Sequence, residues 1–290
     1  MDSEAQVKQQ VRAFYDQVGW QEQSDGFYQN ASYEDLRPVS QEYIHKCHLR
    51  VLRHLNPRGR LLLDAGSGPI QYPEYLEYSK GYQRRVCADI SMVALQEARK
   101  RIGAHGLYVV CDVANLPFKD EVFDGSVSLH TLHHLPLEDH VRAYQELHRT
   151  LASDGKAAIV NGWTKPPLAV FLNFWISLFE KLYAIFRSQP QPMNIEQTGA
   201  FQKNGPATRG TYIRKENAAW LQKEVGWLMP ITIWCWRSIS VRFLRAFIHP
   251  RFGGKFMLKV LYWKEELFPH FFGKYGQYPL VELTKNKLNN

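Results

Sequence analysis

The chain has 290 residues, 45% of them hydrophobic and 22% charged, which is enough to build a core and excludes wholesale disorder. Its +8 charge is unevenly spread: after residue 200 there are 15 Lys and Arg against 5 Asp and Glu, and seven of the eight tryptophans follow residue 162. The opening MDSEAQVKQQVRAFYDQ has no apolar run behind a basic start, so no secretory signal is expected. Cys47, Cys87, Cys111 and Cys235 show no metal-ligand rhythm and read as reduced thiols of a cytoplasmic protein.

In chain order, the pattern predicts a helix over Glu42–Leu55, ended by Asn56-Pro57, and then apolar runs of strand length alternating with helical ones. The strands expected are Arg60–Ala65, Arg85–Ile90, Leu107–Cys111, Phe123–Leu129 and Lys156–Asn161. Ser91 can cap a helix over Met92–Ile102, and Glu138–Leu151 forms another. This rhythm predicts an α/β fold, a doubly wound, mostly parallel seven-stranded sheet of Rossmann-like type. Beyond residue 162 the rhythm breaks into Pro166–Arg187 (apolar helix), Ser188–Gly210 (loop), Lys215–Val225 (helix) and Ile231–Trp236 (strand). Two basic amphipathic pieces, Val241–His249 and Lys255–Phe268, precede a last strand at Pro279–Thr284. The expected organisation is an N-terminal helical segment (1–56), a nucleotide-binding core (57–162), an aromatic-rich cap inserted in the second half (163–230), and last strands carrying a basic helical insertion (231–290).

The central motif is LLLDAGSGP, in which a strand runs through Asp64 into Gly66-Ser67-Gly68. Glycine permits a sharp turn and close ligand approach, at the strand ends where open α/β sheets bind ligands. Alone, Gly-x-Gly is an ordinary turn. Asp89 ends the second strand, where a carboxylate can accept from ribose hydroxyls, and Asp112 ends the third, where it can accept from an adenine amine. Any one Asp is more often a cap or a solvated loop residue; three at successive strand ends point to a nucleotide-like ligand. Gln71 stands where a dinucleotide fold wants a third glycine, and Asp64 would oppose a diphosphate. S-adenosylmethionine (SAM), with its ammonium and sulfonium, suits an acidic pocket better than NAD.

These segments, with CADIS, CDVANLPF and FDGSVSLHTLHHL, resemble the successive motifs of class I SAM-dependent methyltransferases, most closely the subgroup that includes the ubiquinone and menaquinone biosynthesis enzymes. The resemblance spans roughly residues 40–162. It implies that Gly66 and Gly68 line the methionine and ribose portion, that Asp89 and Ile90 hold the ribose, and that Asp112 with the Val113 amide reads the adenine. It further implies that Leu129–His130 closes over the methionyl end, that Asp64 orients the turn and accepts from the ammonium, and that Tyr15 in Phe14-Tyr15-Asp16 folds over the cofactor.

Methyl transfer needs an aligned nucleophile, and a hydroxyl acceptor needs a base. His130 is the first candidate catalytic residue by position and His134 the second; His133 reads as structural, and packing or capping is the bland reading of all three. No metal site is expected. In the basic region, Phe256, Val260, Trp263 and Leu267 form an apolar stripe expected to pack onto the domain; the alternatives are a wall for a lipophilic substrate or a surface leaning on anionic membrane through Arg242, Arg245, Lys255 and Lys259. Pro166–Arg187 is too interrupted for a membrane span. The functional expectation is methylation of a small lipophilic or aromatic acceptor at oxygen or carbon. RNA or protein methylation through the basic region is an alternative, with nucleic acid disfavoured because Leu129-His130-Thr131-Leu132 stands where base-amine methyltransferases carry (Asn/Asp)-Pro-Pro-aromatic. A non-catalytic SAM-fold binding protein is the third.

Overall fold

In the computed structural model, residues 4–20, 34–186 and 211–285 are described. Seven strands, β1 (Gly59–Ala65), β2 (Tyr82–Asp89), β3 (Gly106–Val110), β4 (Phe123–Leu129), β5 (Leu151–Val160), β6 (Ile231–Arg237) and β7 (Tyr278–Thr284), form one sheet in the order β3-β2-β1-β4-β5-β7-β6. The pairs among β1–β5 are parallel, while β7 runs antiparallel to both β5 and β6. The strand order reverses between β1 and β4, which opens a crevice beyond their carboxyl ends. Leu62 and Leu63 point to opposite faces of β1 and both are fully buried, as a sheet covered on two sides requires.

Helices α1 (Glu4–Phe14), α2 (Gln41–Leu49), α3 (Glu74–Glu77), α4 (Met92–Ile102), α5 (Leu137–Thr150), α6 (Pro167–Phe186), α7 (Ala218–Glu224), α8 (Val241–Phe247), α9 (Gly254–Leu267) and α10 (Pro269–Tyr275) complete the described chain. Ser91 caps α4 as expected, its hydroxyl accepting from the Ala94 amide at 3.1 Å. The helix expected over Glu42–Leu55 tightens after Leu49 into a 3₁₀ turn, Arg50–His54. β5 begins at Leu151, five residues early, with an irregular register opposite Phe123–Gly125 and Asp154 at φ +64°. The loop expected over Ser188–Gly210 lies outside the described residues.

The region beyond residue 162 departs from expectation in one respect that bears on function. The stripe on α9 does not pack onto the domain. Phe256, Val260, Trp263 and Leu267 face outward, while Leu258 and Glu265 on the opposite side are buried. Periodicity defines two faces of a helix, not which of them is inside. Arg242 and Arg245 of α8, which one alternative set against lipid, turn to the protein, reaching the Ser177 hydroxyl and the Glu34 carbonyl. Among the described residues no helix is long and apolar enough to cross a membrane.

Candidate active site

The Gly66-Ser67-Gly68 turn leaves β1 with both glycines in the left-handed region, φ +73° and +55°. A Cβ on Gly66 would fall 2.1 Å from Thr131 Cγ2, so no larger residue fits beneath the Thr131 side chain. The Gly66 and Ser67 amides both donate to Ala88 O, which fixes the turn against the end of β2.

Asp89 closes β2 as the sequence implied, 8% exposed, accepting from the Gly68 amide at 2.9 Å and the Ser91 amide at 2.8 Å. Burial pushes its carboxyl up to about 6; the two amides oppose this, and Asp64 and Asp16 add to it. Among the described residues no cation pairs with it. A buried carboxylate without a counter-ion, beside a glycine turn at the sheet's switch point, is chemically fitted to the hydroxyl donors of a ribose.

The other two acids are placed differently from expectation. Asp64 lies in the interior, where Arg85 Nε donates to it at 3.0 Å and the guanidinium forms a salt bridge. Burial raises its pKa, and Arg85 opposes that. Its carboxylate is thus paired with a buried cation rather than presented to the crevice alone, as the expected role of accepting the cofactor's ammonium would have it. Asp112 stands beyond β3 as expected, with one oxygen accepting from the Ala114 amide at 2.9 Å. Its other oxygen is held by Lys8 of α1 at 2.6 Å, and the same ammonium reaches the fully buried Asp139 at 2.5 Å. Val113 is buried in the core beside it, while Ile90 and Leu129 are half-buried at their strand ends.

The N-terminal segment lies over the crevice. Trp20 packs 3.2 Å from where a Cβ on Gly68 would stand, Tyr15 stacks on Trp20 at 4.9 Å, and Asp16 accepts from the Ser91 hydroxyl at 2.5 Å. The Tyr15 hydroxyl is 2.7 Å from His134 Nε2, whose Nδ1 is 2.8 Å from the Tyr212 carbonyl. A carbonyl can only accept, so Nδ1 carries the proton and Tyr15 donates to Nε2. Both nitrogens of His134, the second catalytic candidate, are therefore engaged, one by Tyr15 and one by Tyr212. His133 bonds Asn161 at 3.1 Å. His130 sits at φ +57°, a costly conformation held by its amide's 2.7 Å bond to Val160 O. Its ring meets Trp236 and Tyr278 edge-on at 5.2 and 5.7 Å. Burial, then Arg237, bring its pKa to about 3, with Lys215 adding to the shift while Glu34 opposes it; burial brings His134 to about 4. All three histidines are neutral near pH 7.

Two cations at this end of the crevice escaped the sequence reading. Arg237, 2% exposed, pairs with Glu34 at 2.5 Å and lies 4.7 Å from the Tyr278 ring centre; among the described residues its Nε has no partner. Lys215 Nζ comes 3.2 Å from where a Cβ on Gly162 would stand, in a small cleft lined also by His133, Asn161 and Trp163. Among the described residues it has no hydrogen-bond or ion-pair partner, and burial lowers its pKa.

Residues 63–159 match the family described as "Methyltransferase domain", within the span that the motifs marked. The chain carries a methyltransferase domain. It is of the SAM-dependent class, and SAM is its cofactor. The chain is similar to a Mus musculus protein named "Probable tRNA methyltransferase 9B", 32% identical over 130 residues, 44% of this chain and 28% of that one. It is 28% identical over 142 residues to the Xenopus tropicalis "tRNA (carboxymethyluridine(34)-5-O)-methyltransferase alkbh8", covering 42% of this chain and 21% of that one. The chain thus spans under a third of the length of these relatives. Among solved structures, geranyl diphosphate C-methyltransferase from Streptomyces coelicolor covers 96% of this chain and 98% of its own at TM-score 0.53 and 15% identity, a likeness of fold.

Proposed function

We propose that this methyltransferase transfers the methyl group of SAM to a small, lipophilic or aromatic acceptor that carries an anionic group, at oxygen or carbon. SAM supplies an electrophilic methyl on a sulfonium. In this reading Gly66 and Gly68 line its methionine and ribose portion, Asp89 and Ile90 hold the ribose, Asp112 and the Val113 amide take the adenine, and Tyr15 and Leu129 close over the methionyl end. Asp112 accepts the adenine amine as Lys8 moves aside or shares the carboxylate.

The observation that supports the acceptor class is Lys215, a half-buried ammonium without an ion-pair partner among the described residues, beside three neutral histidines, with Arg237 across the Tyr278 ring. An unpaired cation in a low-dielectric cleft is stabilised by an anionic ligand, and Trp163 and Trp220 in the lining of the same cleft offer an apolar body its wall. His130, a weak base, then serves by accepting a hydrogen bond from the acceptor and aligning it. The resemblance to the quinone-biosynthesis enzymes fits such an acceptor, an acidic phenol on a lipophilic body. The test is a panel of phenols, carboxylates, phosphates and amines assayed by S-adenosylhomocysteine (SAH) release. Acidic amphiphiles should turn over, and Lys215→Met should raise their KM at least tenfold while SAM affinity holds. Preferential methylation of cationic amines would overturn the reading.

A second reading, methylation of RNA, is favoured by the names of the mouse and Xenopus relatives and by the +10 charge after residue 200. Unmodified tRNA belongs in the same panel, and its turnover with a steep salt dependence would select this reading over the first.

A further inference from the structure

Thirteen of the twenty large hydrophobic side chains exposed among the described residues fall in two short stretches, 170–178 on α6 and 252–271 around α9 and α10. A folded surface scatters such residues singly; concentrated, they mark something the protein binds. Both helices anchor inward on one core cluster, α6 through Leu172 and α9 through Leu258, and present their other faces to solvent. On α6 the outward residues include Phe171, 59% exposed, and Phe174, 64%; on α9 they include Phe256, 71%, and Trp263, 61%.

Lysines flank the α9 stripe, and the exposed Glu42 near them is paired with Lys46. Helical geometry puts Lys259 and Lys264 on opposite flanks of the α9 stripe, and both are exposed. Lys46, Lys255 and Lys259 line a shallow cleft around Glu42 at the helix's edge. The acids of α9 are both paired: Glu265 is buried on the far side against Arg50 and the Ser238 amide, and Glu266, on the flank of Lys255 and Lys259, is held by Arg50 and Arg53. Apolar residues on one ridge, lysines on its flanks, Glu265 buried on the opposite side and Glu266 neutralised by Arg50 and Arg53 make the pattern of a helix that lies in a bilayer interface.

We propose that the outer faces of α6, α9 and α10 dock this chain peripherally on an anionic lipid surface, with aromatic side chains entering the headgroup region and Lys255, Lys259 and Lys264 meeting lipid phosphates. The aliphatic share of the ridge, with Val170, Leu178, Val260 and Leu267, sets lipid apart from RNA, which would draw on stacking aromatics and denser cations. The proposal stands independently of the acceptor, since none of these side chains is part of the crevice.

The test is flotation of the full chain with phosphatidylcholine vesicles, with and without phosphatidylglycerol. Binding should be strong only with the anionic lipid and should weaken as salt rises. Each lysine near the surface contributes about fivefold, so changing Lys255, Lys259 and Lys264 to Gln should weaken binding about 100-fold. F256S/W263S, changing two exposed residues, should abolish flotation while leaving SAH affinity and the thermal midpoint unchanged. The proposal is overturned if neither vesicle recruits the protein, if either variant floats as the wild type does, or if the chain instead binds RNA with a steep salt slope. It is equally overturned if sedimentation shows a dimer that F256S/W263S dissolves, for the ridge would then serve a second copy of the chain.

Discussion

Replacing Asp89 by Asn separates two roles that its position forces into conflict. Raising a carboxyl from its usual 3.8 to about 6 costs about 3 kcal/mol of folding stability at neutral pH. The sign follows from proton linkage: the folded chain holds the proton more tightly, so the stability this group lends is full below pH 3.8 and is lost as pH rises through about 6. Asn removes that charge. It keeps one acceptor but turns an NH₂ toward either the Gly68 or the Ser91 amide, costing ~1–3 kcal/mol. At pH 7.5 Asp89→Asn should therefore be as stable as the wild type or up to about 2 kcal/mol more so, and at pH 4 less stable. Its affinity for SAH should fall about 5- to 150-fold, since a ribose hydroxyl loses its acceptor. Wild-type affinity should be flat above pH 6 and weaken toward tenfold per pH unit below it, as protonation removes the binding form. Calorimetric titration with SAH and thermal unfolding at both pH values read all of this. Undiminished SAH affinity in Asp89→Asn would refute the site, and a large loss of stability at pH 7.5 would refute the buried-charge argument.

Lys8→Met should free Asp112 and tighten SAH binding about 1.5- to 5-fold, while lowering the thermal midpoint because, among the described residues, buried Asp139 then keeps only Arg142 as an ion-pair partner; weaker SAH binding would show that Lys8 assists the cofactor. With His130 held near pKa 3 and His134 near 4, turnover of an acceptor identified by the SAH-release panel should show no histidine limb between pH 5.5 and 8; a limb near 6.5 that disappears in His130→Ala would refute the neutral-cluster account. Tyr15→Phe removes the donor to His134 Nε2 and should weaken SAH binding several-fold; calorimetry indistinguishable from wild type would detach Tyr15 from the cofactor site.

The sheet was legible because its signals are local. Alternating apolar runs, the Ser91 cap and the Asp64, Asp89 and Asp112 strand ends are each set within a few residues. What escaped is pairing across the chain. Arg85 reads as a strand residue until the fold brings it beside Asp64, 21 positions away, and Glu34 meets Arg237 from 203 positions away. Lys8 on Asp112 and Lys215 beside the histidines have no sequence signature either, because local pattern reports which elements form and not which side chains they bring together. The ridge of α9 was legible as a stripe but not in its direction. The signal that points to it is Lys255, Lys259 and Lys264 beside the aromatic stripe with Glu265 opposite.

Hydrogen–deuterium exchange with and without SAH tests the cofactor site most directly. The account predicts slowed exchange at the backbone amides of Gly66–Gly68, Asp89–Ser91 and Cys111–Ala114, with NAD producing none. Unchanged exchange at these three strand ends, at SAH concentrations that saturate binding, would contradict it.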